Sequence, residues 1–278
     1  MLVFLNGQFV PEDRAVVSVF DRSFLYGDGL FEAVLVCRGK PFRWPQHLER
    51  LHRGAEFLGL KLPFADDALG KFAEELIAVN ALPDGLLRLT LSRGVGVRGY
   101  SPKGADRPTL VMSLHPLPSG PEPARGWRLL TSSRRLPAGE SLAQYKTANK
   151  LAQILARAEA DAVGADEALL LNTDGFVVEG ASSNLFWVQS GVVCTPHMTS
   201  GVLAGVTRAV VLDLCRELAL PTQESTVTPE ALHETAGVFL TLSSFGVMPA
   251  AELDGLPLAE SPLVEKLRRA YGELLTRE

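Results

Sequence analysis

The stretch Pro116–Gly126 (PLPSGPEPARG) limits the folds open to this chain more than any other. Four prolines and two glycines stand there between apolar runs. Proline lacks the amide proton and fixes φ, so neither a helix interior nor a central strand can cross the stretch. It divides the 278 residues into segments 1–117 and 127–278, with a linker at 118–126. Both segments have ordinary domain lengths. In the first, Met1–Leu5 and Leu30–Cys37 read as strands, the second too continuously apolar to be half exposed. Asn6-Gly7 between LVFL and QFV is a two-residue hairpin signal. Leu48, Leu51, Ala55 and Leu58 share one face of a helix over His47–Leu58, and a second helix is expected over Asp66–Val79. Strands follow at Leu86–Ser92 and Pro108–Leu114. Beyond the linker, strands at Trp127–Leu130, Glu167–Leu171 and Leu185–Val188 are interspersed with helices, including Val206–Leu218 and Leu263–Leu275. This alternation predicts an α/β protein of two domains with mixed sheets and a cleft between them.

Charge and composition exclude several partner classes. The net charge is −5, which gives no electrostatic reason to expect nucleic acid or an anionic membrane. No run approaches the ~18 apolar residues of a membrane span. The start, MLVFLNGQFV, lacks the basic region of a signal peptide. Cys37, Cys194 and Cys215 form no CxxC pair, as expected of a protein in the reducing cytoplasm. His47 and His52 lie about 140° apart around a helix, so they cannot share a metal. With no HExxH or clustered carboxylate motif either, no metal site is expected.

The chemistry concentrates in Tyr145–Phe186. Lys146 stands ahead of an amphipathic helix, and Glu179 follows Phe176-Val177-Val178 in a strand after the Asp174-Gly175 turn. A lysine amine can form an imine with an aldehyde, and a carboxylate beside such an apolar run needs a buried partner, such as a ring N–H. On residues alone, a solvated lysine and a surface glutamate remain the plain alternatives. The run VVEGASSN with Lys146 upstream resembles the catalytic core of class IV aminotransferases, the fold type IV pyridoxal-phosphate enzymes. That family includes D-amino-acid, branched-chain and (R)-amine transaminases and aminodeoxychorismate lyases.

The resemblance covers Gly27 to Pro249 and implies the two-domain fold of D-amino-acid aminotransferases with pyridoxal 5′-phosphate as cofactor. Lys146 would be the Schiff-base lysine and proton carrier, and Glu179 the partner of the ring nitrogen. Arg50, in His47-Leu48-Glu49-Arg50-Leu51, matches the phosphate arginine. Gly205-Val206-Thr207-Arg208 opens a helix whose N–H groups would hold the phosphate, giving Val206 and Thr207 that role. Ser183 and Asn184 belong to the same cofactor-binding run, and Ser243 and Ser244 to a second anion loop, with Ser244 also facing substrate. Phe31 in Tyr26–Glu32 and the Arg98-Gly99-Tyr100 triplet, through Arg98 and Tyr100, would meet the substrate and its carboxylate. Lys150 departs from the tyrosine many transaminases carry there. The implied reaction moves an amino group between an amine or amino acid and a keto acid. The implied working unit is a homodimer whose cleft is completed by a neighbour's loop. The run R-G-x-G-x-R-G-Y-S at Arg93–Ser101 is closer to aminodeoxychorismate lyases, which give 4-aminobenzoate and pyruvate, so that reaction stays open. A non-catalytic pyridoxal-phosphate carrier would need neither a substrate arginine nor a second anion loop.

Overall fold

The computed structural model describes residues 1–118 and 125–277; residues 119–124 of the expected linker, and Glu278, lie outside the described residues. Two compact units form. One is Met1–Pro118 with Tyr145–Asn149, the other the described residues of Ser119–Gln144 and Lys150–Glu278.

The first unit begins with a hairpin of β1 (Leu2–Leu5) and β2 (Gln8–Pro11). Its two turn residues, Asn6 at φ 49° and Gly7 at φ 96°, take the left-handed backbone that such a turn demands. Next come α1 (Arg22–Tyr26), β3 (Gly29–Cys37), β4 (Lys40–Pro41), α2 (Trp44–Leu58), α3 (Asp66–Asn80), β5 (Gly85–Ser92) and β6 (Thr109–His115). The six strands make a wholly antiparallel sheet in the order β2-β1-β6-β5-β3-β4. Leu30, Val34 and Val36 alternate along β3 onto one buried face, joined by Leu87, Leu89 and Leu91 of β5. Helix α2 packs on β3, and α3 on β1 and β6. Leu48, Leu51 and Ala55 of α2 enter this core, as their helical spacing predicts.

The second unit contains β7 (Trp127–Leu136), α4 (Leu151–Ala162), β8 (Glu167–Asn172), β9 (Val177–Gly180), β10 (Asn184–Gln189) and β11 (Val192–Pro196). It continues with α5 (Val206–Glu217), β12 (Thr222–Ser225), α6 (Pro229–Leu232), β13 (Gly237–Leu242), β14 (Gly246–Leu253), β15 (Leu256–Pro257) and α7 (Pro262–Arg277). Its nine-stranded sheet is mixed, with β14–β7, β7–β8 and β11–β12 parallel. Pairing of β9 with β10 closes part of it on itself. Between β13 and β14, Gly246 combines φ 68° with the Tyr271 ring, whose nearest carbon lies 2.5 Å from where a Cβ would stand. Only glycine fits there.

One expectation needs correction. The boundary at Trp127 puts Lys146 in the second domain, ahead of an amphipathic helix. Instead Tyr145–Asn149 groups with the first unit, and the helix starts at Leu151. The physical cause is backbone pairing: Phe31 N–H donates to Lys146 O (2.9 Å) and Ala148 N–H to Gly29 O (2.8 Å). The segment thus lies as an extended strip along β3, with Leu30 and Thr147 bridged antiparallel.

Candidate functional site

Strand period and helix period together build the polar centre of the first unit. Glu32 lies on the same face of β3 as Leu30 and Val34, so it is driven into the core against α2. There it meets His47 and Arg50, three residues apart on the helix. Arg50 Nε and Nη2 grip Glu32 Oε1 and Oε2 at 2.8 and 2.5 Å, a two-pronged ion pair. His47 Nδ1 lies 2.7 Å from Glu32 Oε2 and must donate, since a carboxylate only accepts. Burial alone would raise the Glu32 carboxyl, but Arg50 and His47 outweigh it and hold it at about 2. Burial pushes the His47 imidazole down by more than Glu32 raises it, with Arg50 and Lys146 adding to the depression. Above its ordinary value the ring is therefore neutral. Arg50 is a rigid, buried cation. Sequence reasoning placed Arg50 here but missed Glu32 as its holder; the alternation of β3 was the available signal.

The other face of β3 carries Phe31. The half-buried Lys146 sets its Nζ 4.7 Å from the Phe31 ring centroid, and the Arg88 guanidinium of β5 lies 4.1 Å from it. Arg88 is exposed and forms no ion pair among the described residues. It was not foreseen, because a lone charge in an apolar strand reads as a solvated face. Arg98 and Tyr100 lie on the loop between β5 and β6 with both side chains exposed, and the Tyr100 ring packs edge-on to Tyr26.

In the second unit, Glu179 and Asn184 face each other across β9 and β10. Both hold the segment that leads into α5: Leu203 N–H donates to Glu179 Oε2 (3.0 Å), and the Asn184 amide donates to Leu203 O (2.9 Å). Glu179 is 8% exposed, the burial expected of it. Helix α5 then opens at Val206 and Thr207, both buried, with Gly205 as N-cap. No side chain caps this helix and no acid stands in its first turn. A helix start so composed favours an anion through its N–H groups and dipole. Arg208 turns inward to Glu224 (2.7 Å) and is scaffold.

Ser183 also turns inward. Its hydroxyl donates to Glu167 Oε2 at 3.1 Å, which also accepts Ser182 N–H and Oγ–H at 3.2 and 2.6 Å. Glu167, fully buried and not foreseen, therefore fixes the turn joining Glu179 to Asn184. Ser243 and Ser244 sit half-buried in the β13–β14 turn. Beside them Thr241, opposite Asn184 in register, buries a hydroxyl with no partner among the described residues. A buried orphan hydroxyl, an uncapped helix start and a buried carboxylate suit a phosphate and a protonated ring nitrogen. Among the described residues no cluster of three or more His, Cys, Asp or Glu could hold a metal, and no helix is long and apolar enough to cross a membrane.

Comparison with known proteins gives a consistent result. The sequence profile described as amino-transferase class IV matches residues 29–253. A putative branched-chain-amino-acid aminotransferase of Methanocaldococcus jannaschii is 35% identical, covering 100% of this chain and 97% of its own. The crystal structure of the branched-chain aminotransferase of Thermoproteus uzoniensis with norvaline superposes with a TM-score of 0.93 at 30% identity, covering 99% and 94%. That of 4-amino-4-deoxychorismate lyase from Pseudomonas aeruginosa gives 0.88 at 35% identity, covering 98% of both chains.

Proposed function

The chain belongs to the amino-transferase class IV family, and from that premise we propose that it transfers an amino group between an amine or amino acid and a keto acid. The family's cofactor is pyridoxal 5′-phosphate. When bound, it supplies an aldehyde carbon that takes up the amino group and a ring that accepts electrons. The observation that carries the reading is the fixed position of Lys146, pinned by backbone bonds to β3 with its amine against Phe31. An amine so held carries the cofactor and moves the proton at the donor's Cα. Glu179 keeps a proton on the ring nitrogen. Arg50, locked by Glu32, supplies a rigid cation for the phosphate. Val206 and Thr207 offer backbone N–H groups to it, with Ser243 and Thr241 as hydroxyl donors and Asn184 ordering the approach to α5. Ser183 serves that ordering from the scaffold side. Phe31 and Ser244 flank the substrate, and Arg88, Arg98 and Tyr100 are the groups that read its carboxylates. The working unit is a homodimer in the cytoplasm.

A second reading, elimination of pyruvate from aminodeoxychorismate, is favoured by the Arg98-Gly99-Tyr100-Ser101 run and by the Pseudomonas aeruginosa likeness. Product analysis separates the two. Transamination needs both an amine donor and a keto-acid acceptor and yields a new amino acid. The lyase releases pyruvate from aminodeoxychorismate with no acceptor present. Lys146→Ala should lose either activity by at least ~10³-fold, the scale of removing an essential proton carrier. Turnover of either kind by Lys146→Ala at the wild-type rate would sink the role given to Lys146.

A further inference from the structure

We propose that Arg22 is the positioning residue that presents Arg98 and Tyr100 to the substrate carboxylate; this rests on the reading of Arg98 given above. The loop between β5 and β6 has little regular structure to hold it, yet its backbone is tied at three successive carbonyls to one side chain. Arg22, 3% exposed, donates from Nη1 to Gly99 O (2.8 Å) and Ser101 O (3.2 Å), and from Nη2 to Tyr100 O (3.1 Å). The remaining Nε donates to Asp28 Oδ2 at 2.7 Å. That same oxygen accepts from Arg93 Nε at 2.8 Å, and Arg93 is anchored on Leu58 O (2.7 Å) and Gly59 O (3.2 Å) at the end of α2. Tyr26 completes the clamp. Its hydroxyl accepts from Gly99 N–H (3.1 Å), and its ring lies 5.1 Å from the Arg22 guanidinium.

The loop conformation is thus set by a buried guanidinium. Gly99, at φ 111°, supplies the turn that lets successive carbonyls face inward. With those carbonyls turned in, the Arg98 and Tyr100 side chains are left exposed, on a backbone held at three carbonyls by one buried side chain. A lysine in place of Arg22 keeps the charge and loses the planar fork, so it cannot span Asp28 and the three carbonyls together.

The test uses the holoenzyme and the variants Arg22→Lys, Tyr26→Phe and Arg98→Ala. KM and kcat are measured with an amino-acid donor and with a simple amine, and backbone hydrogen exchange is followed over 94–104. Arg22→Lys should raise KM for the amino acid by roughly tenfold or more, the size of one lost charge-assisted contact. The simple amine should be affected within about twofold, exchange over 94–104 should speed up, and bound cofactor should stay constant. Tyr26→Phe should give the same pattern more weakly. Equal loss for both donors, or unchanged exchange over 94–104, overturns the proposal. Arg98→Ala separates the two possible failures. If it is harmful while Arg22→Lys is harmless, the clamp alone is wrong. If it is harmless, the carboxylate reading beneath the clamp is wrong.

Discussion

Glu32 shows what a single buried charge does in this molecule. Its carboxylate is flanked by Arg50 and His47 and stays ionised in an apolar core. Replacing it with glutamine leaves Arg50 buried beside a neutral amide, which costs ~3 kcal/mol when one partner of such a pair is removed. Glu32→Gln should therefore lower stability by that amount and loosen the phosphate-binding cation, weakening cofactor retention. A pH signature accompanies it. The folded carboxyl sits at about 2 against an ordinary 4.5, so near pH 3–4 the folded chain binds fewer protons than the unfolded one. The stabilisation is full above the unfolded value and is lost as pH falls from 4.5 towards about 2. Denaturant titrations of wild type and variant should converge over that window; a constant gap between them would refute the ion-pair account.

At the scale of elements, Glu167 joins β8 to the turn between β9 and β10. One of its oxygens takes three donors from Ser182 and Ser183, and Glu179 and Asn184 flank that turn. Glu167→Ala strands the buried Ser183 hydroxyl, at ~1–3 kcal/mol for a group left unsatisfied, while the Ser182 donors turn to solvent. It should also lower cofactor affinity, because Glu179 and Asn184 lose their shared support, while Glu167→Gln recovers part of both. Stability lost with cofactor affinity unchanged would confine Glu167 to the fold. The neighbouring hairpin β13–β14 shows where sequence patterns fall short. Gly237–Leu242 and Gly246–Leu253 are strands, yet only the turn residues Ser243 and Ser244 stand out in the sequence. Short continuous apolar runs carry no period to separate strand from buried helix. The strands of the first unit were legible because turn residues bound their apolar runs, and their ends shift by a residue or so.

For the whole molecule, the exposed apolar side chains bear on the proposed homodimer. Val16, Val19, Phe20 and Phe24, the last 74% exposed, adjoin the Val95–Tyr100 loop through the Asp21–Val95 bridge and the Arg22 clamp. Large apolar side chains exposed so close together in the chain mark a surface that a partner covers. In the proposed homodimer that partner is a second copy, so Phe24→Asp should shift sedimentation from dimer to monomer and depress turnover with amino-acid donors. A wild-type chain that sediments at 30.0 kDa with full activity would rule the dimer out. The sequence by itself determined the elements whose signals are local: the β1–β2 hairpin, the core face of α2, and the start of α5 at Val206. It also placed Lys146, Glu179 and Arg50 in a family pattern. The tertiary structure alone decided that Lys146 runs along β3, that Arg22 holds the Gly99–Ser101 carbonyls, and that Glu167 underlies Ser182 and Ser183. Each of these depends on register between segments far apart in the chain. Periodicity reports which way a side chain faces within its own element, and it carries no information about which distant element that face will meet.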